Sequence, residues 1–243
     1  GSGNRSNPTL NNIVISGNVA GGGGGMYNNG DENGTSSPIL TNIVISGNIA
    51  GAGGGGILNS GLRGTSSPIL TNVVISGNIA NRGGGMFNDS DGFGSPGTCS
   101  PILTNVVISG NNASLFGGGM YNSATRNGIS SPILTNSILW TNSAPTGPII
   151  SENNASTTTI TYSIIQAGSL DIGTTILSPT EAYLLFVPPN TRIQRTSFAP
   201  LLSATFSLDS CCIMTLFYYN CYSPFFTIST NLQHFNLLNG RVS

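Results

Sequence analysis

The residues of this chain whose types and spacing could do chemistry are a few carboxylates and guanidinium groups between repeated segments. This candidate loop face comprises Asp31, Glu32, Arg63, Asp89, Asp91 and Arg126. Asp31 and Asp91 share one phase of a repeat, two copies apart, which predicts a separation of roughly 9.6 Å if neighbouring copies stack at the strand spacing. Inverting glycosidases hold two carboxylates about 6.5–9.5 Å apart. The alternative is that these side chains are solvated loop residues that keep a weakly charged protein soluble.

Other catalytic arrangements lack the residues that they need. His234 is the only histidine of the chain, so neither a serine-type triad nor a zinc site is supported. The cysteines Cys211, Cys212 and Cys221 match no zinc spacing. We therefore predict no catalytic residue, no metal site and no cofactor.

The composition limits the partners. Charged residues make up 6% of the 243 residues and the net charge is −1, whereas soluble domains carry about 25% charged residues. Nothing here favours binding to nucleic acid, which depends on clustered basic side chains. The apolar stretch "CCIMTLFYYNCYSPFFTI" is interrupted by Asn220, Ser223 and Pro224, so we expect no membrane span in this chain.

An internal repeat organises most of the chain. Five copies begin at Pro8, Pro38, Pro68, Pro101 and Pro132, with spacings of 30, 30, 33 and 31 residues. Each copy contains three short apolar segments bounded by Asn, Ser or Gly, which is typical of strands and turns. No segment has a sustained helical period. The repeat predicts an all-β fold in which each copy forms one coil of a parallel β-helix with about five to six coils.

Two asparagine columns run through the copies without a break. They are Asn12, Asn42, Asn72, Asn105 and Asn136, and then Asn18, Asn48, Asn78, Asn111 and Asn142. If the coils stack in register, each column forms a ladder of side-chain amides at a turn. A Leu column and an Ile column, headed by Leu10 and Ile15, are expected to line the interior.

The glycine run in "GNVAGGGGGMYN" would ordinarily indicate a flexible linker. It recurs in the later copies as "GNIAGAGGGGILN", "GNIANRGGGMFN" and "GNNASLFGGGMYN". Because the run always leads into an apolar pair followed by Asn, we interpret it as a tight turn that enters a strand and brings neighbouring coils close together.

The tandem "SPILTNVVISGN…GGGMYN" resembles the repeats of the polymorphic outer-membrane protein family and of related bacterial surface adhesins. Gly54-Gly55-Gly56-Ile57 occupies the place of that family's Gly-Gly-Ala-hydrophobic motif, and Ile15-x-x-Asn18 that of its Phe-x-x-Asn motif. Here Ile replaces Phe, and Gly-Met replaces Ala-Ile in most copies. The resemblance covers about residues 5–175. It implies a right-handed β-helix with a pectin-lyase-like fold, in a secreted or cell-surface protein without a shared catalytic site.

The same fold resembles that of pectin and pectate lyases, which use clustered acids, Ca²⁺ and a basic residue. A lyase is expected to concentrate these groups on one strand face, where this repeat carries Ser, Thr and Asn. We therefore predict a non-enzymatic structural or adhesive domain that presents loops to surface glycans or to proteins of a host or neighbouring cell. The alternative is a carbohydrate-active β-helix, either a polysaccharide lyase or a glycan binder.

Ice binding is a third possibility, because flat threonine arrays on solenoids bind ice. Thr41, Thr104 and Thr135 form a column, but Asn11 breaks it at one end. We therefore rank this function below the other two.

The composition changes after the repeats. We assign residues 1–175 to the β-helix and residues 176–243 to an irregular C-terminal segment. That segment is a cap, a degenerate continuation of the repeat or the product of out-of-frame translation, and from about residue 191 we expect no native packed element. No signal peptide pattern is visible, and we expect the chain to be part of a longer protein that is extracellular or on the cell surface.

Overall fold

The computed structural model describes residues 4–92, 94–154 and 156–166, together with four short strands further along the chain. The chain divides into two compact units. The first contains Gly1–Leu177 and Tyr183–Phe186, and the second contains Ser178–Ala182 and Val187–Ser243. Most of the predicted C-terminal segment lies outside the described residues.

The first unit is a right-handed parallel β-helix of about five coils, which confirms the predicted fold class. Each coil carries short strands separated by turns. In the first two coils the strands are β1 (Thr9–Asn11), β2 (Val14–Ser16), β3 (Val19–Ala20), β4 (Met26–Asn29), β5 (Ile39–Ser46), β6 (Ile49–Ala50) and β7 (Ile57–Leu62). In the next two coils they are β8 (Ile69–Ser76), β9 (Ile79–Arg82), β10 (Met86–Asp91), β11 (Ile102–Ser109), β12 (Asn112–Phe116) and β13 (Met120–Thr125).

The remaining strands continue the solenoid and add a hairpin in the second unit. The fifth coil and its continuation contain β14 (Ile133–Thr135), β15 (Ile138–Trp140), β16 (Ile150–Asn154), β17 (Thr159–Thr161), β18 (Ile164–Gln166), β19 (Ile176–Leu177) and β20 (Leu184–Phe186). The second unit contains β21 (Ala204–Leu208) and β22 (Cys212–Leu216), which pair antiparallel.

Three parallel sheets run along the solenoid. The first is 11-stranded and follows the order β1-β5-β8-β11-β14-β17-β19, with β2, β15, β18 and β20 beside that path. The second is 5-stranded, in the order β16-β13-β10-β7-β4, and the third is 4-stranded, in the order β12-β9-β6-β3. Equivalent residues of successive repeats pair directly, as Leu40 does with Leu70.

The interior is filled by columns of identical or similar apolar residues. Leu40, Leu70, Leu103 and Leu134 are fully buried, as are Ile45, Ile75, Ile108 and Leu139. Ile57, Met86, Met120 and Ile150 form the corresponding buried column of the second sheet. Leu10 and Ile15 of the first coil are only partly buried. Each coil therefore buries its apolar side chains mainly against its neighbours, as in other solenoids.

In the column from Asn18 to Asn142, Asn18 is exposed in the first coil and the later members are buried inside the solenoid. Successive side chains of the column are hydrogen-bonded to one another. The Asn78 side-chain nitrogen donates to Asn111 Oδ1 at 2.9 Å and to the backbone oxygen of Ile45 at 3.0 Å. Asn78 Oδ1 accepts from the backbone and side-chain nitrogens of Asn48, at 2.9 and 3.0 Å. The amide thus uses both of its donor hydrogens and both of its acceptor sites, which is the condition for burying a polar group without a large penalty.

The column from Asn12 to Asn136 lies on the outside at a bend in the first sheet. Asn42, Asn72 and Asn105 each donate from the side-chain nitrogen to the Asn one coil earlier, at 3.1–3.2 Å. Their backbone φ is 55°, a left-handed conformation that Asn tolerates better than most residues. This column therefore combines a turn requirement with an exposed ladder.

A third ladder, which the sequence analysis did not assign, lies inside the second sheet. The side-chain nitrogens of Asn28, Asn59 and Asn88 donate to the Asn of the following coil at 2.8, 2.7 and 2.8 Å. The last acceptor is Asn122, whose own side-chain nitrogen donates to Thr158 Oγ1 at 2.8 Å. The signal in the sequence is the Asn that follows each apolar pair after the glycines.

The glycine run is an ordered part of the stack, so the linker alternative is wrong. The backbone nitrogens of Gly23 and Gly24 donate to the oxygens of Gly53 and Gly54, each at 3.0 Å. A Cβ atom on Gly24 would lie 2.5 Å from the backbone oxygen of Gly55. Only glycine allows this close approach of successive coils.

Candidate functional site

The candidate loop face lies on the outer side of the second sheet and on the loops that follow its strands. Side chains alternate along these strands, so Met86 and Asn88 point into the solenoid and are fully buried. Phe87, Asp89 and Asp91 consequently lie on the outer side. The strand register therefore decides which charged residues of different coils become neighbours.

Asp31 is held in place by the neighbouring coil. Its Oδ1 accepts hydrogen bonds from Ser60 Oγ at 2.7 Å and from the backbone nitrogen of Leu62 at 2.9 Å. Leu62 in turn pairs with Asp91 in the parallel register of β7 and β10. Asp31 and Asp91 thus lie on either side of Leu62, two coils apart, in the same column.

Four of the other charged residues of the loop face form two ion pairs between coils. Arg126 Nε donates to Asp91 Oδ1 at 2.9 Å, and a second guanidinium nitrogen contacts the other oxygen of the same carboxylate. Arg63 pairs with Glu32. Glu32, Arg63 and Arg126 all have left-handed backbone, with φ of 53°, 58° and 46°. The turns therefore orient these side chains toward their partners.

Asp89 is a partly buried carboxylate whose neighbours include two further carboxylates. Burial, followed by the nearby charges of Asp31 and Asp91, raises the pKa of Asp89 from 3.8 to about 6. The Arg82 guanidinium and a hydrogen bond with Ser123 oppose this increase. The structure thus brings Asp31, Asp89 and Asp91 close enough to influence one another, while Arg82 partly compensates for their charge.

Arg82 belongs to this face, although the sequence analysis did not select it. Its backbone pairs with that of Gly53 in the coil before and of Phe116 in the coil after. The sequence contains a signal for this position. The residue four places before the first apolar residue of each strand in the second sheet is, in successive coils, Gly22, Gly53, Arg82 and Phe116. Two coils therefore carry a large side chain where two others have glycine.

An aromatic cluster lies beside these charges. The ring centroid of Tyr121 is 5.1 Å from that of Phe87 and 5.6 Å from that of Phe116, within the range of favourable aromatic contacts. Phe87 packs over Gly53, where a Cβ atom would lie 2.4 Å from the ring. The Tyr121 hydroxyl accepts a hydrogen bond from Asn153 Nδ2 at 2.9 Å. The glycine columns thus make room for this cluster as well as for close coil packing.

Cys99 lies beneath the charged residues and is fully buried. Its thiol donates to the backbone oxygen of Asp89 at 3.0 Å. Burial, followed by the charges of Asp89 and Asp31, raises the pKa of the Cys99 thiol well above its ordinary value. An uncharged, buried thiol of this kind serves packing rather than nucleophilic chemistry.

The arrangement provides hydrogen-bond donors, acceptors and two charge pairs on a fixed scaffold. Within residues 4–92, 94–154 and 156–166 and the later described strands, no group of three or more His, Cys, Asp or Glu residues is arranged to hold a metal ion. In the same part of the chain, no helix is long and apolar enough to cross a membrane.

Fold and site together define a parallel β-helix repeat protein with one charged, aromatic-flanked face. No family model matches the chain, and comparisons with curated proteins and with solved structures give no significant match.

Proposed function

We propose that this chain is a non-enzymatic adhesive repeat domain of a secreted or cell-surface protein, and that its loop face binds glycans of a neighbouring surface. The main support for the proposal is that ion pairs with the next coil hold the charged loop side chains in place. Arg126 binds Asp91 and Arg63 binds Glu32, so the loops present defined groups on a rigid support.

The buried ladders support this function because they stiffen the scaffold. Asn48, Asn78 and Asn111 are fully buried and linked side chain to side chain. A preorganised surface loses less conformational entropy on binding than a mobile one. The resemblance of the repeats to bacterial surface adhesins, from which the proposed location derives, points to the same function.

A polysaccharide lyase is the second candidate, and the environment of Asp89 favours it. A carboxyl group whose pKa is about 6 is suited to proton transfer near neutral pH, and Arg82 lies near it. Against this candidate, Asp91 and Glu32 are already paired with arginines. These pairs leave fewer charged groups for a substrate.

A glycan panel tests the proposal. The full chain is applied to immobilised polysaccharides, and bound protein and newly formed unsaturated sugar ends are both measured. We expect retention on at least one polysaccharide without turnover. Arg82→Ala is expected to weaken retention about tenfold or more, since a charge-assisted hydrogen bond contributes roughly 1.5–3 kcal/mol. Arg5→Ala, which removes an exposed arginine from the first coil, is the matched control.

The outcomes separate the two candidates. Turnover that is abolished by Asp89→Asn favours the lyase over the adhesin. If Arg82→Ala and Arg5→Ala weaken retention equally, the loop face is not the binding site. If no polysaccharide retains the chain, glycan adhesion by this domain is rejected.

A further inference from the structure

A second surface of the solenoid is as regular as its interior. On the outer side of the first sheet, Thr41, Thr71, Thr104, Thr135 and Thr161 pair in unbroken register across five successive strands. Asn11 pairs with Thr41 and ends the column on the side of the first coil, as predicted, and Thr161 extends it by one strand at the other end. At the strand spacing, the column extends over roughly 19 Å.

An isoleucine column runs parallel to the threonines. It consists of Ile39, Ile69, Ile102 and Ile133, which are 43%, 41%, 42% and 41% exposed. Because each isoleucine precedes a threonine by two residues on the same strand, the two columns share one face and lie roughly 6.6 Å apart. The exposed Asn ladder borders the threonines on the other side. We call the isoleucine and threonine columns together the Ile/Thr face.

This face is rigid and uncharged. Isoleucine and threonine are both β-branched, so their side chains have few rotamers to lose. The strand segments that carry them, 38–46, 68–76, 101–109 and 132–140, contain no Asp, Glu, Lys or Arg. The ladders on Asn42 and Asn48 hold the register from coil to coil, and side-chain ladders are one of the means by which sheets resist twisting.

We propose that the Ile/Thr face binds ice, a function separate from glycan binding by the loop face. The methyl groups order the first shell of water around them, and they repeat at about 4.8 Å along the solenoid. The threonine hydroxyls hydrogen-bond to the same water. Water ordered at this spacing on a rigid, uncharged face joins the lattice of an ice surface, which repeats on a similar scale.

Ice suits this face better than a protein or a glycan does. An absence of charge gives no electrostatic complementarity to a charged macromolecule. Protein-binding and ligand-binding surfaces are enriched in aromatic side chains, whereas the two columns contain only aliphatic and hydroxyl side chains. An uncharged lattice of water is the partner that complements a repeating array of methyl and hydroxyl groups.

Two isoleucines of the same coil provide a matched test. Ile69 on β8 is 41% exposed within the Ile/Thr face, and Ile79 on β9 is 48% exposed on the third sheet. The full chain, Ile69→Lys and Ile79→Lys are compared for inhibition of ice recrystallisation and for partitioning into a growing ice front. We expect the full chain and Ile79→Lys to be active and Ile69→Lys to lose activity at least tenfold.

A milder variant and a competing surface complete the test. Thr71→Ser keeps a hydroxyl group and removes one methyl group, so it is expected to lower activity while leaving the far-UV circular dichroism unchanged. A folded full chain that inhibits recrystallisation no better than an inert protein of equal size overturns the proposal. Equal activity of Ile69→Lys and Ile79→Lys also overturns the proposal. So does a full chain that sediments with crystalline cellulose and is not incorporated into ice.

Discussion

Asn78 donates a hydrogen bond from its side-chain nitrogen to the side-chain oxygen of Asn111 in the next coil, at 2.9 Å, with both residues fully buried. The same pairing recurs from coil to coil at one turn. The solenoid therefore contains an internal ladder of asparagine side chains. Because the bonded atoms are inaccessible to solvent, water cannot take the place of a hydrogen bond that is lost from this ladder.

We expect Asn78→Ala to destabilise the solenoid by roughly 3–4 kcal/mol, because the substitution removes the four buried hydrogen bonds that the Asn78 side chain makes with Asn48, Asn111 and Ile45. Urea unfolding followed by circular dichroism measures the change. Asn72→Gly is the control, since glycine keeps the left-handed backbone of the exposed ladder, and its cost is expected to be about 1 kcal/mol. Equal losses in the free energy of unfolding for the two variants would contradict a buried asparagine ladder.

Two glycines of a single run are expected to respond in opposite ways. A Cβ atom on Gly24 would lie 2.5 Å from the oxygen of Gly55, whereas Gly21 has no atom within 4 Å of that position. Gly24→Ala should destabilise the fold by roughly 1–3 kcal/mol through overpacking. Gly21→Ala should be neutral or stabilise by up to about 1 kcal/mol, because it restricts the unfolded chain. Thermal unfolding of both variants tests this prediction. Equal midpoint temperatures for Gly24→Ala and Gly21→Ala would be inconsistent with a closely packed turn.

The pKa of Asp89 predicts a specific pH dependence of stability. Because this pKa is raised from 3.8 to about 6, the folded state binds the proton more tightly than the unfolded state does. The contribution of Asp89 to the free energy of unfolding therefore falls as pH rises from about 4 to about 6 and stays constant above that. The fall amounts to at most about 3 kcal/mol.

Asp89→Asn isolates this contribution, because Asn has no proton to lose. We expect the variant to be more stable than the parent chain at pH 7.5 and to lose that advantage toward pH 4. The comparison requires urea unfolding curves at several pH values. Asp31, Asp91 and Arg82 face Asp89 and are unchanged in both chains, so parallel stability profiles would show that Asp89 does not titrate as described.

The burial of Cys99 predicts a thiol that is protected in the folded protein. Cys99 is fully buried and its thiol pKa is raised by burial and by Asp89 and Asp31. We expect alkylation by iodoacetamide at pH 8 to be at least about a hundredfold slower than in urea. Mass spectrometry of the peptide containing Cys99 gives its rate separately from those of the other cysteines. Rapid modification in native buffer would place the thiol at the surface.

Much of the scaffold was predictable from particular residues. The five prolines set the period, and the recurring Leu40 and Ile45 positions indicated which side chains point inward. The columns of Asn42 and Asn48 were both predicted as turn ladders, and the sequence did not indicate that only the second is buried. This inference is possible because each coil contacts mainly its neighbours, so that identical residues at a fixed period must stack. The Asn28 column was overlooked although it repeats as regularly, because its position inside a strand gave no turn signal.

The neighbours on the loop face could not be derived in this way. Whether Arg126 meets Asp91, or Arg82 lies near Asp89, depends on loops of different length and on turns at Glu32, Arg63 and Arg126 whose backbone is left-handed. Such conformations are rare outside glycine and leave no clear sequence pattern here. The spacing of the acidic residues therefore indicated a shared phase and did not reveal their ion pairs.

The sequence by itself determined the coil, its period and the alternation of buried and exposed positions, because these follow from local residue types repeated many times. Only the tertiary structure decided which charges pair and how far Asp89 is buried. These properties depend on contacts between residues about thirty positions apart, and such contacts become definite when the coils stack in register.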